Sequence, residues 1–508
     1  MLDRCQFLAS VRVLDVGGAD SDGVGRLLAD LGADVLKVER PGGAAARAAK
    51  PSVAGVGIAF ALNNANKRAA VLDPGAPGAR RRFVELAGEA DILIDGGHPR
   101  GAAAFGTSCA ELAERFAHLV AIEVTDFGAS GPHAAWQADD SVLYAMSTAL
   151  SRSGPTTGRP VLPPYGIASA TVAVQAAWAA LVAYYHRLRC GSGDYIDFSR
   201  FEAVLQCLDP PFGSEGQAAV GQKRSGELWR GRPRNQQIYP TFPCRDGFVR
   251  ICVLSARQWR GIRAWLGEPE RFADPKFEGI AARYAASTEL NAAIGELFGP
   301  QTMEALVAEG QRRGVPIAAV LSPADALGSE HFRSVGALTE TDVAPGTRLT
   351  VPTGPFVIDG RHAGIESPCP AVASDEPRWV TERSGTADQG RPVDGRPFDG
   401  LRVLDLGVIV AGGELGRLFA DLGAEVVKVE SAAYPDGLRQ TLPGQPMSRS
   451  WALTHRNESS LGLDLRHPEG AAIFGRLVAA SDAVFANFKP GTLAALGFSY
   501  DKLRVLNP

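Results

Sequence analysis

Residues Leu28–Glu39 read LADLGADVLKVE, and residues Phe419–Glu430 read FADLGAEVVKVE. A chain that writes one phrase twice has to fold twice around it. The repeat is wider than the phrase. VRVLDVGG (Val11–Gly18) precedes the first copy and LRVLDLGV (Leu401–Val408) the second, while NANKRAAVLD (Asn64–Asp73) answers HRNESSLGLD (His455–Asp464). Asp15 and Asp405 lie 405 − 15 = 390 positions apart, but Glu39 and Glu430 lie 430 − 39 = 391 apart, so the first copy is one residue shorter in between. That period is too long for a solenoid unit and reads as duplication of a whole domain.

Within the first copy, VRVLDV is an apolar run ended by Gly17 and Gly18, the pattern of a buried strand. VGRLLADLGA has apolar residues at helical spacing and stops at Gly32, a C-terminal cap signal. DVLKVE is the next strand, so the three make a right-handed parallel crossover. ADILID (Ala90–Asp95) and HLVAIEV (His118–Val124) add strands, with helical text such as GARRRFVELAGEA between. Residues 1–212 are therefore expected to form an α/β domain with a Rossmann-like parallel sheet. Ile167–Arg189 predicts a long Ala-rich helix through its core, and Gly213–Arg234 reads as a loop or linker. Residues 235–330 alternate a hairpin, a Trp-bearing helix and a helix–strand–helix, the text of a small α+β domain. Residues 331–383 return to the large domain, 384–398 form a Gly/Pro-rich linker, and 399–508 begin a second Rossmann-like copy.

At 508 residues the chain exceeds what one hydrophobic core supports. A net charge of −4 gives no case for nucleic acid or an anionic membrane surface. No unbroken run of eighteen apolar residues is present, so no membrane span is expected. MLDRCQFLAS lacks the basic and apolar regions of a secretory signal, which points to the cytoplasm. Seven scattered cysteines without C-x-x-C fit reduced thiols. Eight histidines show neither H-x₃-H nor H-E-x-x-H, so no metal site is expected. Glu39 and Glu430 end their strands as the acidic residue of an NAD-dependent dehydrogenase would, but neither GGADSDG nor GVIVAGG is G-x-G-x-x-G.

Taken in order, F-x-x-x-GP (Phe127–Pro132), GSGDYIDFSRFEAV (Gly191–Val204), RDGFVRICVLSARQW (Arg245–Trp259), AEGQRRGVPIAAV (Ala308–Val320) and ANFKPGTLAALGFSYDKLRVLNP (Ala486–Pro508), with the repeated phrase, resemble the family III CoA-transferases. That group holds formyl-CoA and carnitine CoA-transferases and α-methylacyl-CoA racemase. The resemblance implies a large Rossmann-like and a small domain, and an interlocked homodimer or, in a tandem chain, an intramolecular pseudo-dimer. It implies coenzyme A, bound as acyl-CoA, and a carboxylic acid as partners, with no metal. Its chemistry is transfer of CoA between acids through an aspartyl anhydride, with backbone amides beside glycines stabilising the oxyanions.

The resemblance also assigns positions. The family aspartate precedes the Ala-rich helix in text like P-x-x-D-x-x-x-G; here PPYGIASATVAVQ puts Gly166 there, which has no nucleophile. Asp139, at the racemase histidine position, and its neighbour Asp140 are expected to be helix caps or a solvated pair. The family's E-N-F-x-P-G turn, which touches the nucleotide part of CoA, falls on Asp95–Arg100 in the first copy, where Gly96 and Gly97 replace asparagine and phenylalanine. The second copy keeps Ala486-Asn487-Phe488-Lys489-Pro490-Gly491. Its apolar GVIVAGG loop has the family's length, whereas GGADSDG is short and carries Asp20 and Asp22, expected to repel pyrophosphate. Arg466 stands where the family often has a base facing a CoA phosphate; the first copy has Gly75 there but keeps Arg40, Lys67 and Arg68. Val410, Ala411, Arg466, Asn487, Phe488 and Lys489 are thus the expected CoA contacts, with Lys428 a further candidate. Asn457-Glu458-Ser459 departs from the family's N-K-R.

The first copy is accordingly expected to be a silent protomer and the second a CoA-binding one, within a longer tandem enzyme. Two readings compete: a non-catalytic CoA-binding or scaffolding half, and a tandem CoA-transferase/lyase of the dimethylsulfoniopropionate type.

Overall fold

The computed structural model describes residues 7–147, 149–153, 159–205, 239–344, 346–382, 395–439, 447 and 449–508. The expected linker at 213–234 and residues 384–394 of the one expected at 384–398 lie outside them, as do Cys5 and Cys207. The five described cysteines are free thiols. The chain divides into two compact units, one of Met1–Leu150, Leu162–Ala219 and Gly336–Pro508, the other of Ser151–Val161 and Val220–Val335.

In the first unit, β1 (Arg12–Val16), α1 (Asp22–Asp30), β2 (Asp34–Glu39), β3 (Arg68–Val71), β4 (Ile92–Asp95), β5 (Val120–Thr125), α2 (Ile167–Cys190) and β6 (Tyr195–Ser199) build one sheet and its covering helices. The sheet is parallel, in the order β3-β2-β1-β4-β5-β6. Parallel sheets bury both faces, which is why these strands read as continuous apolar runs. One face packs Val13, Val35, Ile92 and Ile122 against Val24 and Leu28 of α1 and Val172 and Ala176 of α2. The other packs Leu14, Leu36 and Leu93 against Phe83, Leu86 and Phe105.

The second sequence copy forms β7 (Arg402–Asp405), α3 (Ile409–Asp421), β8 (Glu425–Glu430), β9 (Ser459–Gly462) and β10 (Ala483–Phe485). Its sheet runs β9-β8-β7-β10, the order of β3-β2-β1-β4. The register repeats as well. Arg12↔Asp34 is answered by Arg402↔Glu425, Val13↔Ile92 by Val403↔Ala483, and Leu36↔Arg68 by Val427↔Ser459.

α2 joins the two copies. Alanine favours helix and lets neighbours approach closely, so this 24-residue helix can be covered on two sides. Gly166 at φ +87° opens it and Gly191 at φ +79° closes it. One side lies in the first core; on another, Trp178, Val182 and Tyr185 pack with Phe398, Val403, Phe419 and Ala424 of the second copy. Arg189 donates to the carbonyls of Pro397 and Asp399, both at 2.7 Å. Among the described residues α2 alone is long and apolar enough to cross a membrane by length and composition; counting unbroken apolar runs in the sequence passed over it.

The second unit holds a three-stranded antiparallel sheet, Ile317–Ala319, Gly247–Ile251 and Thr241–Cys244 in that order. Its core is Phe242, Trp259, Phe272, Phe277 and Phe298. A capping box between Ser255 and Gln258 starts the Trp-bearing helix Ala256–Trp265.

Candidate functional site in the second copy

In the first copy the loop after β1 is closed by its own ions. Lys67 donates to Asp15 at 2.7 Å, to Asn64 at 2.9 Å and to the Asp22 carbonyl at 2.7 Å. Lys37 pairs with Asp22 at 2.5 Å and lies 3.8 Å from Asp15. All four charged side chains are buried. Burial pushes the Asp15 carboxyl up, but Lys37 and Lys67 outweigh it and hold Asp15 below its ordinary value. The expectation that Asp22 repels pyrophosphate is thereby corrected. It points inward and neutralises Lys37 rather than facing a ligand. Asp20 stands 3.5 Å from Arg200 and 3.7 Å from Arg100. Arg68 is committed to Asp34 at 2.8 Å, so Lys67 and Arg68 are both occupied.

The facing loop also closes. A Cβ on Gly96 would come 3.3 Å from the Gly18 nitrogen and 3.4 Å from the Gly17 Cα. Asp95 accepts from the amides of Gly97 at 2.8 Å and Ala102 at 2.9 Å. Burial outweighs those bonds and pushes its carboxyl up to about 6. An unfolded aspartate titrates near about 3.9, so between these values the folded chain holds the proton more readily. The contribution of Asp95 to stability is therefore greatest below about pH 4, falls as pH rises toward 6 and is flat above. Asp95→Asn should remove that slope from a plot of Tm against pH; an unchanged slope would contradict the assignment.

Asp139 caps the helix Asp140–Met146, accepting from the Val142 amide at 2.9 Å. Asp140, half-buried, is paired rather than free in solvent: Arg200 donates to it at 3.1 Å, as does Ser169. Gly166 is the left-handed residue that opens α2, and nothing lies within 4 Å of where its Cβ would stand. Among the described residues, therefore, no carboxylate stands within 4 Å of that Cβ position.

The second copy differs at two points of the same frame. α3 begins at Ile409, about a turn earlier than α1 by the 391-residue offset, and the position of Asp22 is taken by Gly413 (22 + 391 = 413). Lys428, equivalent to Lys37, therefore lacks the Asp22 partner. Its Nζ lies 3.5 Å from Asp405 and 3.9 Å from Asp436 and makes no hydrogen bond. It borders a cavity of about 230 Å³ whose wall includes Leu406, Val408, Tyr434, Arg466 and Phe488. The Arg466 guanidinium lies over the Tyr434 ring, 4.0 Å from its centre. The wall's acids are engaged: Glu430 by Arg439 at 2.7 Å, Asp436 by the amides of Ile409 and Leu438, and Asp464 by the Arg466 amide.

Lys428, Arg466 and Phe488 thus converge on one space. Asn487 does something else. Its amide accepts from the Val408 nitrogen at 2.8 Å and donates to the Val408 carbonyl at 2.9 Å, clamping the loop that precedes α3. Ala411 and Lys489 are exposed and off the cavity wall, and the side chain of Val410 lies outside the described set.

The sequence model of CoA-transferase family III matches residues 8–376 and again residues 398–508. The chain belongs to that family. A probable CoA-transferase of Mycobacterium tuberculosis is 63% identical over 492 residues, which are 97% of this chain and 62% of that protein. The chain therefore spans about three-fifths of that relative's length. A succinyl-CoA–D-citramalate CoA-transferase of Chloroflexus aurantiacus is 44% identical over 115 residues, 22% of this chain and 29% of its own. The crystal structure of a CAIB/BAIF family protein from Brucella suis superimposes with a TM-score of 0.60 at 24% identity, covering 72% of this chain and 95% of that one, a likeness of fold.

Family motifs pointed to Phe488 and Arg466 but not to Tyr434, which lies outside every quoted motif. A second group went unnoticed as well. Asp405, His455 and Glu458 meet beneath α3, with ligand-capable atoms within 4.8 Å of one another.

Proposed function

We propose that this chain is the coenzyme-A-binding part of a tandem-duplicated acyl-CoA:carboxylate CoA-transferase, with its two copies docked as an intramolecular pseudo-dimer in the cytoplasm. The second copy binds the nucleotide end of CoA; the first copy is silent. The observation that carries this reading is the contrast at one lysine. Lys37 is hydrogen-bonded to Asp22 and closed in, whereas Lys428 faces Asp405 at 3.5 Å and Asp436 at 3.9 Å without a hydrogen bond and borders a cavity shared with Arg466 and Phe488. Phe488 offers a face to the adenine and Arg466 a fixed charge to a phosphate.

The transfer itself needs a carboxylate. It attacks the thioester carbonyl, the C–S bond breaks, and the CoA thiolate leaves with the electron pair, giving a mixed anhydride. The carboxylate of the acid to be loaded then attacks the enzyme-side carbonyl and expels the donor acid as its carboxylate. The thiolate attacks the acyl carbonyl of the new anhydride, giving the product thioester and freeing the enzyme carboxylate. Gly166 cannot supply that carboxylate, so the accepting group is not the first copy's family residue. Acyl-CoA and a carboxylic acid are the proposed partners.

Calorimetric titration with CoA tests the reading. Phe488→Ala should weaken binding by roughly tenfold, the scale of one lost base–aromatic stack, and Arg100→Ala, in the first copy's equivalent turn, should leave it unchanged. Equal affinity in Phe488→Ala and the parent chain, or loss in Arg100→Ala, would overturn it.

A further inference from the structure

The two copies can be compared atom for atom beneath their first helices. In the first copy a Cβ on Gly25 would meet Asp15 Oδ2 at 2.7 Å and Lys67 Nζ at 3.1 Å, the two halves of a buried ion pair. The equivalent Gly416 (25 + 391) would meet Glu458 Oε1 at 2.7 Å and Asp405 Oδ2 at 3.1 Å. Glu458 is the residue at the Lys67 position (67 + 391). A carboxylate therefore stands where the first copy keeps an ammonium. Asn64, which also accepts from Lys67, is replaced by His455 (64 + 391).

The charge count follows. Asp15, Asp22, Lys37 and Lys67 sum to zero in the first copy. In the second, Asp405, Asp436, Glu458 and Lys428 sum to −2 with His455 neutral. The side chains of Asp405, His455 and Glu458 are 0%, 3% and 2% exposed, so water does not screen the deficit. His455 Nδ1 and Glu458 Oε2 meet at 2.8 Å, while His455 Nε2, Glu458 Oε1 and Asp405 Oδ2 are buried without a hydrogen-bond partner. Lys428 fills only part of the gap: its Nζ stands 3.5 Å from Asp405 Oδ2 without a hydrogen bond, and its charge is already in the count. Buried charge without compensation is costly, and native folds pair it or place a metal against it.

We propose that Asp405, His455 and Glu458 bind a divalent transition-metal ion in the place that the Lys67 ammonium occupies in the first copy. One such ion restores neutrality, and the imidazole–carboxylate donor set suits zinc and its neighbours better than magnesium or calcium. The site is structural in position. It sits beneath α3, ties β7 to the segment before β9, and supports the helix whose leading loop borders the cavity.

The test uses the full 508-residue chain, stripped with chelator and titrated with Zn²⁺ by calorimetry, with the melting temperature followed in parallel. The parent chain should bind one ion per chain and melt several degrees higher when loaded. Glu458→Lys rebuilds the first copy's ion pair, so it should fold, bind no ion at this site and melt at the same temperature with or without Zn²⁺. His455→Asn/Glu458→Lys, which restores both first-copy residues, should behave likewise. Equal zinc stoichiometry in the parent and Glu458→Lys chains would overturn the proposal. So would a parent chain that binds no zinc and instead gains stability as the pH is lowered toward 6, because protons would then be meeting the deficit.

Discussion

Lys67→Met in the first copy is expected to cost the fold about 3–5 kcal/mol, the scale of removing one partner from a buried ion pair. Lys67 and Asp15 are both fully buried side chains 2.7 Å apart. Methionine fills much of the lysine's volume, so the loss is electrostatic. Asp15 would retain the Gly17 amide and Lys37 at 3.8 Å, and the Asp22 carbonyl and Asn64 would lose their donor. The double variant Asp15→Asn/Lys67→Met should recover part of the loss, since it removes the stranded charge. Urea unfolding measures both. A single-variant cost below about 1 kcal/mol, the range of exposed pairs, would show that the group does not hold the first copy's loop closed. The same experiment bears on function, because it is this closed network that leaves Lys37 unavailable where Lys428 borders a cavity.

Much of this fold was legible in the sequence for a simple reason. A parallel sheet covered on both faces demands unbroken apolar strands, and VRVLDV, DVLKVE and ADILID supply them between glycine stops. The offset of 390 and 391 then carried the first copy's strand order onto the second. The cavity was legible where a motif names a residue on its wall, as with Phe488 and Arg466. It was illegible where the partner is remote in sequence. Asp22 in a glycine-rich loop reads as a solvent-facing charge, and only the crossover brings Lys37 over it. Asn487 reads as a ligand contact, because nothing in the sequence says that Val408 takes both ends of its amide. Asp405 lies fifty residues before His455, so a search for histidine spacing cannot see their cluster. Glu458 was visible only as a departure from N-K-R, and its meaning depended on knowing what Lys67 touches.

Phe398→Ala should separate the two copies. Phe398 is 5% exposed and stands between α2 and the second sheet. Its ring stacks on Phe419 at 4.7 Å between centroids and meets Trp178 at 5.9 Å and Tyr185 at 5.6 Å. Truncating such a ring costs about 3–5 kcal/mol, transfer and cavity terms together. Here that cost falls on the docking surface rather than inside either sheet. Arg189 also reaches the carbonyls of Pro397 and Asp399, and a hydrogen bond to a charged group holds about 1.5–3 kcal/mol, so these two contacts, of comparable size, remain when the substitution breaks the aromatic cluster. With it broken, β7, β8 and β10 should exchange amide hydrogens faster than β1, β2 and β4, whose core of Val13, Val35 and Ile92 the substitution does not touch. Urea unfolding should split into two steps, the second copy melting first. A single cooperative transition of unchanged midpoint would mean that the copies are coupled by something other than this cluster. Two steps with faster exchange in the first copy instead would reverse the assignment of which copy depends on the other.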